Sequence, residues 1–432
     1  MAAESRGPLG LGAVTPLGFR SPARALVPEP LPAPRTTPVP QQVTLSAEAA
    51  SLASAPVDPD SRLPDGIARL AVHRGMDEHG KEPFWLKGRS GDQELALDSA
   101  YARLRPDDIA LSNIRKGGFA PSELLRAVAE WSGNQEDLLG WINDLRARYG
   151  TKLQLVVWDD TDYDIPWELL HLPPDHRYGL ASGILGALVT VVRWTTIRRP
   201  GPVPVAEPAS CSGHVLGYYA KDMRGDIEVF EGFIHRVHKA SSTFLGDLAR
   251  PDLGAGLVYM GCHATYGSKL YDLRLDTLTW GELNAQSMAA LDGRRTLVCI
   301  NACHSARMVD NSPRGERALR GFAELFLRKG AGGCIATSGK VGDDVAHTLV
   351  RDLVERLCAD PELPVAQALR EFRARAVAAL PDPLPSLYTD EGTFDKVGQQ
   401  RLLPLLYSFM FLYFGHPLTT LRLSLRAQEA RS

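Results

Sequence analysis

After Gly150 the chain alternates short apolar runs with amphipathic stretches. The runs read "LQLVVW", "LVTVVRW", "HVLGYYA", "GLVYMG", "TLVCIN", "GCIAT" and "FMFLYF". Helical patterns start between the later ones, near Asp226, Thr277, Glu316, Asp343 and Val365. In "DDVAHTLVRDLVERLC", Val345, Leu349, Leu353 and Leu357 recur every four residues, and Asp343 and Asp344 suit the positive N-terminal end of a helix. An apolar run with no polar alternation is a strand covered on both faces. Such strands alternating with helices predict an α/β sandwich around a mostly parallel sheet.

The pattern differs upstream. Residues 1–65 hold 12 of the 31 prolines and no lasting periodicity, and "VPEPLPAPRTTPVP" favours extended polyproline-like chain. They read as a disordered Pro/Ala-rich tail. Residues 66–150 read as a small mixed α/β extension. Within it Leu124, Leu125 and Val128, then Leu138, Leu139, Ile142 and Leu145, fall at helical spacing. Residues 151–425 form the main α/β domain, and no repeat of solenoid length is present.

Composition narrows the function classes. A formal net charge of −3 over 432 residues gives no basic excess to neutralise phosphates, so direct nucleic-acid or acidic-membrane binding is not expected. "LLPLLYSFMFLYFG" is the longest apolar stretch, and it is too short and proline-interrupted to span a membrane. The N-terminus lacks the basic start and apolar stretch of a signal peptide. Six cysteines at irregular spacing, mostly inside apolar runs, suggest a reducing compartment and a cytoplasmic protein. The Ala, Arg, Gly and Pro bias resembles a GC-rich bacterial genome.

Two strands end in reactive side chains. "GLVYMGCHATYG" ends at Cys262 and His263, and "TLVCINACHSA" ends at Cys303 and His304. If the strands are parallel neighbours, His263 and Cys303 project into one crevice at their carboxyl ends. Cys303 could then attack a carbonyl as thiolate, with His263 protonating the leaving amine and later activating water. The backbone N–H groups of Cys303 and Ala264 could form an oxyanion hole, and Gly261, Ala264 and Ala302 leave room for a substrate backbone. A zinc site is the rival. Yet Cys299 and Cys303, four apart on an extended strand, lie ~13 Å from each other and cannot share one metal. Adjacent Cys262 and His263 point to opposite faces. No metal or other cofactor is expected, and Cys299 and Cys334 read as core.

The stretch from Ile165 onward resembles the CHAT family, caspase-like cysteine peptidases related to caspases, metacaspases and separases. "DIPWELL" (164–170) is similar to the family's entry to the domain, "YMGCHATYG" to its histidine block and "INACHSA" to its cysteine block. "GFAELFLRKGAGGCIATSGKVGDDVA", "PVAQALREFRARAV" and "YFGHPLTTLRL" follow in the family's order. The resemblance implies a caspase-like three-layer sandwich and a cysteine endopeptidase with His263 and Cys303 as dyad. It also implies a protein substrate and a regulatory partner, in a bacterial antiviral-defence or cell-death pathway. The chain has no TPR array or nucleotide-binding loop, so regulation would come from a separate protein.

Departures from the pattern bear on specificity. Asn301 stands where metacaspases place an acid associated with basic P1 residues, and Ala306 replaces a glycine. The loop lining the first subsite in caspase-like folds is here "YYAKDMRGDIE". Asp222 would favour a basic P1 residue, Lys221 or Arg224 an acidic one, and a solvated charged loop would favour neither. The segment at Ser338, Gly339 and Lys340 could pair with substrate backbone as an added strand, although the family's tryptophan is missing. His304, His347 and His416 read as structural. Two rival functions remain: a catalytically silent caspase-like scaffold that binds partners, and a flavodoxin-like small-molecule binder, which lacks a glycine-rich phosphate loop.

Overall fold

The structure is a computed structural model that describes residues 63–75, 82–91, 94–99, 101–106, 109–114, 120–195, 208–294, 296–310 and 319–426. All of these belong to the unit spanning residues 52–432. The expected tail, residues 1–65, lies outside the described residues except for its last three.

The apolar runs become strands of one large sheet. In chain order they are β1 (Ile67–Arg74), β2 (Pro83–Ser90), β3 (Gln154–Asp159), β4 (Thr190–Trp194), β5 (Ser210–Tyr219), β6 (His235–His238), β7 (Ala255–Gly261), β8 (Leu297–Asn301), β9 (Gly333–Thr337), β10 (Phe411–Gly415) and β11 (Thr420–Leu423). The spatial order is β6-β5-β7-β8-β9-β10-β4-β3-β1-β2, with β11 beside the start of β5. From β6 to β9 all neighbours are parallel, as are those from β10 to β1, whereas the β9–β10 pair is antiparallel. The sheet therefore holds two parallel blocks of opposite sense joined at one seam, with β2 added antiparallel to β1 at the edge. Strand β1 pairs with β3 from Ile67↔Gln154 to Val72↔Asp159, so strands of the 66–150 segment continue the same sheet.

Alternation along each central strand feeds two cores. Leu257 and Tyr259 of β7, with Leu297 and Cys299 of β8, face one apolar cluster. Val258 and Met260 of β7, with Val298 and Ile300 of β8, face the other. Burial on both sides leaves no polar position to alternate, which is why these runs read as unbroken. The first face is covered by helices α1 (Pro121–Gly133), α2 (Glu136–Tyr149), α5 (Asp343–Ala359), α6 (Val365–Ala378) and α7 (Lys396–Met410). The second is covered by α3 (Ser241–Leu248) and α4 (Phe322–Arg328). Helix α5 buries Ala346, Leu349, Val350, Leu353, Val354 and Leu357; of the stripe its four-residue spacing predicts, Val345 is only half-buried.

Some elements differ from expectation. "FMFLYF" is not wholly strand: Phe409 and Met410 close α7, and only Phe411–Gly415 pairs with β9. Every residue from Leu405 to Gly415 is buried, so periodicity cannot mark the junction. The helix expected near Asp226 is a 3₁₀ run, Lys221–Phe230, broken at Met223. The helix expected near Thr277 starts at Trp280, because Thr279 caps it by accepting from the Glu282 N–H at 3.1 Å. Glu316 lies outside the described residues, and α4 begins at Phe322.

The "DIPWELL" segment has a clear structural part. Glu168 is buried and accepts from Arg193 Nε on β4 at 2.8 Å, with a second bond from Nη2 to its other oxygen. Arg193 Nη2 also donates to the Ile165 C=O at 3.1 Å. Burial pulls the Glu168 carboxyl up, but the Arg193 charge and hydrogen bonds more than offset this and hold it below the usual range. The pair fixes this segment against the second parallel block.

Candidate active site

Parallel pairing of β7 and β8 ends at Gly261↔Asn301, and the Cys262 N–H still donates to the Asn301 C=O at 3.3 Å. His263 and Cys303 each follow two residues beyond that last pair, at the carboxyl end of adjacent strands. Cys262 is buried in the second core and its thiol is pushed well up by burial, whereas the His263 side chain is 67% exposed. The two neighbours do point apart.

The His263 side is braced from below. The Asp276 N–H donates to the His263 C=O at 2.7 Å. Asp276 has a left-handed backbone (φ 53°), and its carboxylate accepts from the Tyr218 hydroxyl. Ala264 starts a two-residue strand paired with Leu275 of the same turn. His263 Nε2 lies 3.6 Å from Asp222 Oδ2, in a pair whose members are both largely in water.

The cysteine loop is more tightly held. The Ala302 C=O accepts from Thr337 Oγ1, and the buried Ser305 hydroxyl donates to the Ile300 C=O at 3.2 Å while accepting from the Thr337 N–H at 2.9 Å. The His304 N–H donates to the Gly339 C=O at 3.0 Å, the Ala306 N–H to the Thr337 C=O at 2.8 Å, and the Arg307 N–H to the His304 C=O at 3.1 Å. Among the described residues none accepts from the Cys303 N–H. Cys303 is half-buried. His304 adopts φ 59°, a conformation costly for a non-glycine residue and found where surrounding bonds over-determine the backbone. Its Nδ1 lies 3.3 Å from the Ser338 C=O.

The proposed substrate contacts fall in different settings. Asn301 is buried, and its Nδ2 donates to Asp226 Oδ2 at 3.0 Å and to the Tyr259 hydroxyl at 2.9 Å. Ser338 donates through its N–H to the Met410 C=O at 2.8 Å, and the Gly339 C=O takes the His304 bond. Those two backbone groups are thus engaged within the chain, whereas Lys340 is exposed. A cavity of about 70 Å³ lies behind the cysteine loop, between Asp164, Arg193, Ala306, Arg307, Ser338 and Phe414.

Sequence reasoning missed Asp226. Its buried carboxylate accepts from Asn301 and from the Tyr259 hydroxyl, and His347 Nδ1 on α5 lies 2.9 Å from Oδ1. Arg351 Nη2 is 2.7 Å from His347 Nε2. A side chain on Gly261 would meet Asp226 Oδ2 at 3.2 Å, so that glycine lets the strand end pass close to the carboxylate. Nothing local marks Asp226 in "KDMRGDIE"; only the fold brings it to Asn301.

Residues 234–386 match the CHAT domain. The match includes His263, Asn301 and Cys303 and the whole of α5 and α6, and it covers the central part of the stretch that resembles the family. The chain is also similar in structure to a number of solved chains, among them the following three. One is the Saccharomyces cerevisiae separase–securin complex, at 13% identity and a TM-score of 0.36, covering 67% of this chain and 18% of that chain. The second is the Arg-specific cysteine proteinase gingipain R, at 11% identity and a TM-score of 0.38, covering 67% and 69%. The third is the complex of Porphyromonas gingivalis RgpB pro- and mature domains, at 12% identity and a TM-score of 0.39, covering 67% and 70%. The chain thus spans less than a fifth of the separase chain it resembles. No curated protein matches it. Among the described residues no helix is long and apolar enough to cross a membrane.

Proposed function

We propose that the chain is a cysteine endopeptidase acting through His263 and Cys303. The observation that carries this reading is the β7–β8 register, which brings both residues to equivalent positions beyond one strand edge. His263 would take the Cys303 proton, and the thiolate would attack the substrate carbonyl carbon. The N–H groups of Cys303 and Ala264 would receive the developing oxyanion, which the uncommitted Cys303 N–H supports. His263 would then protonate the leaving amine and assist water in hydrolysing the thioester.

The electrostatics favour a basic P1 side chain. Asp226 lies below Gly261, and its hydrogen-bonding partners are Asn301, Tyr259 and His347, none of them a lysine or arginine. Asp222 adds a second negative charge beside His263. The family resemblance extends the reading to a cytoplasmic enzyme switched on by a partner protein in a bacterial defence or cell-death pathway.

The test is cleavage profiling of a proteome with wild type and Cys303→Ala, with candidate partners present. Cleavage after Lys or Arg by wild type alone is the expected outcome. Identical products from both proteins would show that Cys303 is no nucleophile, and cleavage after acidic residues would overturn the role given to Asp226.

A further inference from the structure

Arg307 touches both loops of the proposed dyad and a third segment outside the CHAT match. It follows Cys303 by four residues on the cysteine loop, and its side chain is only 15% exposed. Its guanidinium stacks 4.2 Å from the ring centre of Tyr266, which follows His263 by three residues. The Tyr266 hydroxyl returns to the cysteine loop by donating to the Met308 C=O at 3.1 Å, and its ring lies 6.3 Å from that of His304. On its other side Arg307 Nε is 3.6 Å from Asp164 Oδ2. Asp164 is itself fixed, with φ 57° and a bond accepted from the Ser112 hydroxyl at 3.0 Å. A parallel tie runs from Arg74 Nη1 on β1 to Asp310 Oδ2 at 2.8 Å.

We propose that Arg307 is a positioning residue that holds the His263 and Cys303 loops in register and anchors both to Asp164. The inference rests on the peptidase reading, because it concerns the alignment of that dyad. It places control of the active site partly in residues N-terminal to the CHAT match. A planar guanidinium is required, because one face must lie on Tyr266 while an edge meets Asp164. Lysine could keep the charge but not the stack.

The test uses the full chain. For wild type, His263→Ala, Arg307→Lys, Arg307→Met and Tyr266→Leu, two quantities are measured. The first is the rate at which iodoacetamide alkylates Cys303 as a function of pH, located by mass spectrometry. The second is kcat and KM on a peptide found by the cleavage profiling. Misplacing a reactive group by about an ångström lowers rate by roughly 100-fold. Arg307→Met should therefore lose about 10- to 100-fold in kcat with KM within about 2-fold, and Arg307→Lys should fall between it and wild type. Its alkylation profile should move from that of wild type toward that of His263→Ala. Tyr266→Leu should do the same, which keeps the test decisive if Arg307→Met does not fold. A wild-type profile in every Arg307 and Tyr266 variant, with kcat unchanged, overturns the inference while leaving the peptidase reading intact. Coincident profiles for wild type and His263→Ala overturn the peptidase reading itself, and the inference with it.

Discussion

Ser305→Ala should damage both stability and catalysis, through a single hydroxyl two residues after Cys303. The Ser305 hydroxyl is fully buried and does two things at once: it donates to the Ile300 C=O at 3.2 Å and accepts from the Thr337 N–H at 2.9 Å. Alanine keeps the backbone but leaves a buried N–H and a buried C=O each short of a partner. An orphaned buried donor costs about 1–3 kcal/mol, and an under-satisfied carbonyl somewhat less. The expected loss is therefore about 2–4 kcal/mol in urea unfolding, read as a lower midpoint with an unchanged slope. That is a large share of the roughly 5–15 kcal/mol typical of folded domains, yet the variant should still be folded at 25 °C.

Activity measured there should fall more than stability explains. The same bond spans the turn that carries Cys303, and its loss leaves the Thr337 Oγ1 bond to the Ala302 C=O and the backbone bonds of His304 and Ala306 to hold that turn. Near-native folding with kcat/KM at least about 10-fold lower is the expected pair of results. A stability change below about 0.5 kcal/mol together with wild-type turnover would refute the claim that β9 holds the nucleophile loop through Ser305.

Two further predictions concern buried charge and pH. Glu168→Ala leaves the Arg193 guanidinium unpaired in the interior, so it should cost about 3–5 kcal/mol in the same unfolding assay; a loss under about 1 kcal/mol would mean that water reaches Arg193. His416 is buried with Nδ1 accepting from the Leu418 N–H at 3.1 Å, and burial pulls its pKa down to about 4. Between pH 6.5 and pH 4 the unfolded chain therefore takes up a proton that the folded chain does not. Stability from this residue is complete above about pH 6.5 and falls as pH drops, by at most about 1.4 kcal/mol per unit. Unfolding free energies at pH 7 and pH 5 should differ less in His416→Gln than in wild type, and equal differences would show that His416 does not carry the effect.

How far the sequence reveals the site depends on the range of the interaction. Strand existence and the two-face burial of β7 and β8 follow from apolar runs alone, and so do the positions of His263 and Cys303 just beyond them. What the runs do not contain is partnership. The pairing of β1 with β3 joins Ala68 to Leu155, and the reversal at β9–β10 joins Cys334 to Phe414. Neither pair has a local signal. The same holds for the ties that set the cysteine loop: Thr337 and Ser305 are 32 residues apart. Tyr266 and Arg307 are unremarkable as an isolated aromatic and an isolated cation.

The two acids of the 221–230 loop show why charge near a site resists reading from spacing. Asp222 and Asp226 are four residues apart, and on an α-helix they would share a face. The run is 3₁₀ instead, with three residues per turn, so positions four apart diverge by roughly 120°. The break at Met223, with φ −103° and ψ 17°, turns Asp222 further toward solvent, where it meets His263. Phe230, buried 5.1 Å from Tyr259, anchors the far end of the run and carries Asp226 inward onto the Tyr259 hydroxyl. One acid thus faces the imidazole and the other lies beneath Gly261. Asn301 carries no charge of its own, but it hydrogen-bonds to a carboxylate, that of Asp226, which the 3₁₀ run after β5 brings in.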